Sequence, residues 1–399
     1  MDICIYTLTS SLHDKQSVDK ATSEFLSTIS CDFTFKGNDF AEYGSHDLDL
    51  IYVRTGGAEG LFKAMLNGLV QVPNTIYLLT SGQSNSLAAS MEILSYLRNN
   101  NINGEILHGD SDYINQRIAE LAQVGAARKR LNGMRLGVVG KPSDWLISSG
   151  VDYATVKDVM GITLVDIGMD ELLATYDATP APACIDLMGK APNDIIKNNL
   201  VGAERLYETL KVIVEKYSLN GFTIRCFDLL STIHNTGCIA LAKFNAQGIV
   251  ATCEGDIPAM LSMAVSQALT GVAGFQANPA RINPETGEML VAHCTIPFNM
   301  LERYEIDTHF ESGIGVAICG YMQPGPITIF KLAGNGARHF AAEGTLLRSQ
   351  SEPNLCRTQQ VIKLADKDAT KYFLTNPIGN HHIIIPGHCK LLLDQLFIK

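Results

Sequence analysis

The sequence predicts an α/β protein whose C-terminal third turns to β structure, and three features of its patterning carry that expectation. Up to residue 132, short β-branched runs alternate with stretches of helical period, as parallel strands joined by crossover helices do. A fresh apolar run, Arg135-Leu-Gly-Val-Val-Gly140, then opens the same alternation again. Beyond the helix that follows Glu254, the chain breaks into short runs punctuated by Pro and Gly, the spacing of an antiparallel sheet or barrel. A chain of 399 residues also exceeds one ordinary core. The expected architecture is therefore two Rossmann-like α/β domains, residues 1–132 and 133–246, followed by a β-rich C-terminal domain, residues 247–399.

Taken in order, the strand candidates of the first domain are 3–8, 48–53, 75–79 and 105–107. Two of them end in small polar loops, Arg54-Thr-Gly-Gly-Ala-Glu59 and Ser81-Gly-Gln-Ser-Asn-Ser86, the second leading into a helix over 87–98. Ligands of open α/β sheets bind beyond the carboxyl ends of strands, and a Ser/Asn-rich helix start offers free N–H groups. Ordinary turn chemistry, with Gly for positive φ and Ser or Asn for capping, explains the same residues. Neither loop fits a P-loop or a GxGxxG fingerprint, and Gly334-Asn-Gly336 lacks a third glycine. A helix over 112–131 leads to the second domain, with strands at 136–139, 162–166 and 221–225 and an amphipathic helix over 203–216. A strand over 249–252 stops at Glu254 and Gly255. The next helix starts with Asp256 as N-cap and Pro258 in its first turn, where a missing N–H costs nothing. Further strands are expected at 288–291, 315–319 and 326–332.

Composition bounds the function. With 46% hydrophobic and 18% charged residues, the chain buries a large core and leaves apolar surface to cover, which points to an oligomer. A net charge of −10, with no basic cluster longer than Arg128-Lys-Arg130, argues against nucleic acid as a partner. No apolar run approaches the ~20 residues of a spanning helix, and Met1-Asp-Ile-Cys lacks the basic start of a signal peptide. A cytoplasmic protein without a membrane partner is expected. The ten cysteines form no CxxC pair, and Cys226, Cys238 and Cys319 sit in apolar runs, so reduced and mostly buried thiols are expected.

Glu254 stands at a strand end with two histidine-bearing segments still to come, which reads as one arm of a metal or acid–base site. The plainer alternative is a solvated loop acid. His293, beside Cys294 in an apolar run, is either a ligand or a satisfied core histidine. His381 and His382 follow Gly379 and Asn380 on a loop; one should point inward, and His381 is chosen. Arg225, Lys331 and Arg357 are able to contact a phosphate or sulfonate, but structural salt bridges are favoured for all three.

The ordered series Cys253-Glu-Gly-Asp256, Ala292-His-Cys-Thr-Ile-Pro297, His309-Phe-Glu-Ser-Gly313, Cys356-Arg-Thr-Gln359 and Asn380-His381 resembles the L-fucose isomerase and L-arabinose isomerase superfamily. In the N-terminal half, Asn85-Ser-Leu-Ala-Ala89 and Val139-Gly-Lys-Pro-Ser-Asp-Trp145 are similar to the first two domains of the shorter fucose-isomerase-like proteins. The resemblance spans nearly the whole chain. It implies two α/β domains and a β-rich third, a divalent metal (Mn²⁺, with Mg²⁺ as the alternative), a small sugar substrate, and an active site shared between subunits of a homo-trimer or homo-hexamer.

Carried over residue by residue, the resemblance places Glu254, Asn278, His293 and His381 around the metal, with Glu254 and Asn278 at the catalytic carboxylate positions. It assigns Asn85 and Asn380 to the substrate. Asn278 is a departure, because the family has Asp or Glu there. Aldose–ketose isomerisation through an enediol needs a base for one carbon and an acid for the other, and an amide carries no proton. Asp256, Glu311 and His388 are the substitutes at hand, each more often structural than catalytic. The leading expectation is an aldose–ketose isomerase. The alternatives are a lyase or epimerase using the same enediolate site, or a non-catalytic sugar-binding protein.

Overall fold

The computed structural model describes residues 1–69, 75–183 and 185–398. The chain clusters into two compact units, one of Met1–Lys129 together with the C-terminal residues from Leu391, the other of Arg130–Lys390.

The first unit runs β1 (Ile3–Leu8), α1 (Lys15–Leu26), β2 (Thr34–Gly37), β3 (Leu48–Val53), α2 (Glu59–Leu69), β4 (Ile76–Leu79), α3 (Ser86–Asn99), β5 (Gly104–Leu107) and α4 (Ser111–Leu131). Its sheet is wholly parallel, in the order β2-β1-β3-β4-β5. Strands covered by helices on both faces read as continuous apolar runs, and every residue of β1 and β4 is buried. Ile5, Leu50 and Ile118 form one face of the core, and Ile51, Leu78 and Ile93 the other. The edge strand β2, half-exposed and short of apolar residues, gave no strand signal in the sequence. The last helix of the chain, Lys390–Leu396, brings residues back to this unit. There Arg128 donates to the carbonyls of Gln395 (2.9 Å) and Leu396 (3.1 Å), and Arg117 donates to Gln395 Oε1 at 2.7 Å.

The second unit opens with β6 (Arg135–Val139), α5 (Tyr153–Met160), β7 (Thr163–Ile167), α6 (Met169–Ala178), α7 (Asp194–Tyr217), β8 (Gly221–Ile224), α8 (Asp228–Thr232), α9 (Cys238–Ala246), β9 (Val250–Thr252) and α10 (Ile257–Thr270). Strands β7-β6-β8-β9 form a parallel sheet in that order. Helix α7 begins at residue 194 rather than 203, because Asn193 caps it by accepting from Ile196 N at 2.9 Å and its early turns bury Ile196 and Leu200. Strand β9, next to the site glutamate, is the edge of this parallel sheet.

There follow β10 (Phe275–Asn283), β11 (Glu288–His293), β12 (Arg303–Asp307), β13 (Ala317–Tyr321), β14 (Gly325–Leu332), β15 (His339–Gln350), β16 (Thr358–Leu364) and β17 (His382–Pro386). Six of them close an antiparallel barrel, β10-β11-β16-β15-β14-β17, and β12-β13 make a separate hairpin. Closure leaves no unpaired edge. Phe275, Met289, Val291, Ile329, Leu346, Ile362 and Ile384 belong to the core cluster of the barrel. The expected strand at 315–319 starts instead at Ala317, since Gly313 and Gly315 (φ +67° and +63°) turn the chain first. Among the described residues no helix is long and apolar enough to cross a membrane. Nine of the cysteines are free and six of these are buried; the tenth, Cys184, lies outside the described residues.

Candidate functional site

Glu254 is set by a sharp turn out of the parallel sheet. Its own φ is +66° and that of Gly255 is +71°. A β-carbon at Gly255 would lie 2.4 Å from the Lys141 carbonyl, so only glycine fits there. Backbone bonds hold the turn: Ser143 N donates to the Glu254 carbonyl at 2.9 Å, and Gly255 N donates to that of Ile224 at 2.9 Å. A non-glycine residue in the left-handed region costs of order 1–3 kcal/mol and persists where the surroundings over-determine it. Here the turn aims the carboxylate inward, and Glu254 is buried. Its Oε2 accepts from Trp145 Nε1 at 2.7 Å.

Two imidazoles face the other oxygen. His293, ending β11, has Nε2 at 3.7 Å from Glu254 Oε1, with Nδ1 at 3.0 Å from Thr295 Oγ1. His381, just before β17, has Nε2 at 3.3 Å from the same oxygen, and its Nδ1 lies 2.8 Å from Asp256 Oδ2. The His381 Nε2 is fully buried and makes no hydrogen bond. Asp256 is the N-cap of α10, as its sequence position predicts, accepting from Ala259 N at 2.8 Å. Its second oxygen also orients His381 and lies 3.7 Å from Nζ of the buried Lys331.

Electrostatics separate these groups. Burial opposes ionisation of Glu254, but His293 and His381 outweigh it and hold the carboxyl well below its usual range. Asp256 is likewise kept down to about 2, against its burial, by Lys331 and His381. His381 is pushed up to about 9 because Asp256 and Glu254 overcome its desolvation. For His293, burial and the neighbouring His381 win, and its basicity falls. Burial likewise lowers His309, helped by His293 and Arg357.

Ligand atoms of Glu254, His293 and His381 all lie within 4.8 Å of one another. A metal-binding histidine presents one ring nitrogen to the ion and donates the other to a carboxylate or hydroxyl that fixes its orientation. Both rings have that arrangement, and Nε2 of His381 makes no hydrogen bond. The residues fit a divalent ion. Two imidazoles and a carboxylate are donors that Mn²⁺, Fe²⁺ and Zn²⁺ accept.

Asn278, on β10 opposite Ala292, lines one cavity of about 40 Å³ with Glu254, His293, His309, Glu311 and Phe227. Its Oδ1 accepts from Asn380 Nδ2 at 3.1 Å, so the two asparagines touch. Asn85 lies in the first unit, exposed at the start of α3 with φ +60°. His382 is as buried as His381 but turns to the other side, its Nε2 3.0 Å from the Tyr372 hydroxyl. The inward-and-outward expectation for this pair is thus corrected: both are inside, because β17 is covered on both faces. His388 is exposed, its Nε2 3.2 Å from the Gly344 carbonyl, and does not line the cavity. Arg225 pairs with Asp144 (2.8 Å) and Asp228 (3.1 Å), and Arg357 donates to the Thr308 carbonyl (2.8 Å), so both are engaged within the chain.

Sequence reasoning did not single out Trp145 or His309, although each stood inside a quoted motif. Nothing local marks an indole 109 positions away as a donor to Glu254. Trp145→Phe keeps the edge contact with Phe227 (4.9 Å between centroids) and removes that donor. A hydrogen bond to a charged group contributes ~1.5–3 kcal/mol, and the half-exposed indole favours the lower end. Urea unfolding should show a loss of about 1.5 kcal/mol; an unchanged midpoint would mean that the bond adds nothing.

No family model matches the chain. The chain is similar to the sulfoquinovose isomerase of Alkalicoccus urumqiensis, 22% identical over 263 residues that cover 63% of this chain and 59% of the relative. Those of Priestia aryabhattai and Priestia megaterium are 24% identical over 283 residues, 66% of this chain and 62% of each relative. The matches thus span about three fifths of the length of these curated relatives.

Proposed function

We propose that this protein is a metal-dependent aldose–ketose isomerase, with sulfoquinovose, the sugar in its relatives' name, as the first substrate to test. The observation that carries the reading is the meeting of the buried Glu254 carboxylate with two imidazole nitrogens, one of them lacking any hydrogen bond. A bound Mn²⁺, held by Glu254, His293 and His381, would polarise the oxygens on adjacent sugar carbons. Isomerisation then needs one proton moved from carbon to carbon and another between the oxygens. Glu254, kept ionised, is the proton acceptor. Glu311 shares the cavity, and burial followed by the charge of Glu254 raises its carboxyl, so it is the candidate for the proton donor. Two carboxyls whose surroundings push them apart are the usual acid and base assignment. Asn278 contributes a neutral oxygen and binds rather than transfers.

The test is purified protein with Mn²⁺, incubated with sulfoquinovose and a panel of aldoses and ketoses, with products resolved by NMR. A ketose from an aldose supports the reading; absence of turnover on the whole panel, with metal bound, counts against it. Because Asn278 cannot carry a proton, an enediolate lyase is the second reading, and shorter carbon fragments among the products would identify it. The assembly is read as a homo-trimer or homo-hexamer, which sedimentation velocity decides.

Replacing Asn278 by Asp adds a negative charge beside the ion. Hard divalent cations gain affinity with ligand charge, so calorimetry should find Mn²⁺ bound tighter by Asn278→Asp, by roughly tenfold. Equal or weaker binding would place Asn278 outside the coordination sphere.

A further inference from the structure

Five cysteines, Cys226, Cys238, Cys253, Cys294 and Cys356, line the same cavity as Glu254 and His293. Two of them stand apart in their geometry. Strands β8 and β9 are parallel neighbours, with Thr223 opposite Thr252, so the chain leaves the sheet side by side at both ends. Cys226 N then donates to the Ile224 carbonyl at 2.8 Å, a tight turn that folds Cys226 back toward Cys253. Their Sγ atoms are 2.8 Å apart. A disulfide bond is ~2.05 Å long, and it joins α-carbons roughly 4.4–6.8 Å apart, a range that includes the ~4.8 Å spacing of adjacent strands.

We propose that Cys226 and Cys253 are a modification site, oxidised by a peroxide to a disulfide that fixes the turn carrying Glu254. Both residues are buried and line the cavity, which has room for hydrogen peroxide. One cysteine, as its thiolate, attacks the peroxide; the O–O bond breaks, and hydroxide leaves to be protonated as water. The sulfenic acid so formed is attacked by the second sulfur, the S–O bond breaks, and a second water leaves with the remaining thiol proton. Two thiols lose two electrons and two protons, and one peroxide becomes two waters.

The consequence for the site rests on the function proposed above. Closing the bond draws the sulfurs together by about 0.8 Å, and Cys253 is joined directly to Glu254, whose left-handed backbone leaves it no slack. Disturbing what orients a metal ligand costs roughly 10–100-fold in affinity, so about tenfold weaker Mn²⁺ binding is expected for the oxidised protein.

The test treats the full chain with hydrogen peroxide, alkylates it in denaturant and maps the digest by mass spectrometry. The expected result is a Cys226 peptide joined to a Cys253 peptide, two hydrogens below their sum, which dithiothreitol separates. Cys226→Ser and Cys253→Ser should each lack it, and whichever folds should keep its Mn²⁺ affinity after peroxide. Recovery of both thiols in alkylated form, linkage mainly among Cys238, Cys294 and Cys356, or equal peroxide sensitivity in the serine variants would overturn the proposal. If the reduced protein binds no Mn²⁺ while the bond forms, the metal reading fails and the modification site stands.

Discussion

Under the proposed function, Glu254→Gln should lower isomerase turnover by roughly 10²–10⁴-fold, the contribution of a positioned acid–base group, and should weaken Mn²⁺ binding at the same time. Glutamine matches glutamate in size, and its carbonyl still accepts from Trp145 Nε1, so the turn at 254–255 is kept. What is lost is the charge. In the proposed function that charge is the proton acceptor, and it is also the group that, with Asp256, holds His381 protonated when no metal is present. Two measurements check the expectation on one preparation: turnover by product analysis, and Mn²⁺ affinity by calorimetry. Turnover within tenfold of the parent would remove Glu254 from the chemistry, and unchanged affinity would remove it from the metal.

Asp256→Ala should be the most destabilising single change in the site. Three groups lose a partner together: Nδ1 of His381, Nζ of Lys331, and the N–H of Ala259 at the start of α10. Breaking a buried ion pair costs ~3–5 kcal/mol because a charge is left unpaired, and Lys331 is only 1% exposed. Loss of the cap adds ~1 kcal/mol. Asp256→Asn separates the two terms, since asparagine caps a helix as well as aspartate but leaves Lys331 unpaired. It should recover about 1 kcal/mol relative to alanine and no more. The only tryptophan, Trp145, lies in the second unit, so its fluorescence follows unfolding there. A loss below about 1.5 kcal/mol for alanine would mean that Lys331 is neutral in the fold, its lowered basicity carried to completion by burial.

Much of this was legible without coordinates. The parallel strands of the first unit announce themselves because burial on both faces leaves unbroken apolar runs, as at Ile3–Leu8 and Leu48–Val53. The start of α10 was legible because an N-cap and an early proline act within one turn. Glu254 drew attention as a carboxylate at a strand end, and the resemblance supplied His293 and His381. Elements without a one-period signature were not legible: the polar edge strand β2, and the barrel strands β15 to β17, of which β16 pairs with β11 and β17 with β10 and β14, far back along the chain.

The sequence by itself determined which segments are strand or helix wherever the deciding forces are local, and it placed a carboxylate at a strand end, one histidine in an apolar run and another on a loop. Only the tertiary structure decided that these residues meet. It brought residue 381 against residue 254 by running β17 beside β10 and β14, and it gave Asp256 a second task facing His381. It also returned the last helix to the first unit and set Cys226 against Cys253. The reason is physical: periodicity records which face a residue presents, whereas which residues share a face across 127 positions is set by barrel closure and strand order, neither of which leaves a local trace.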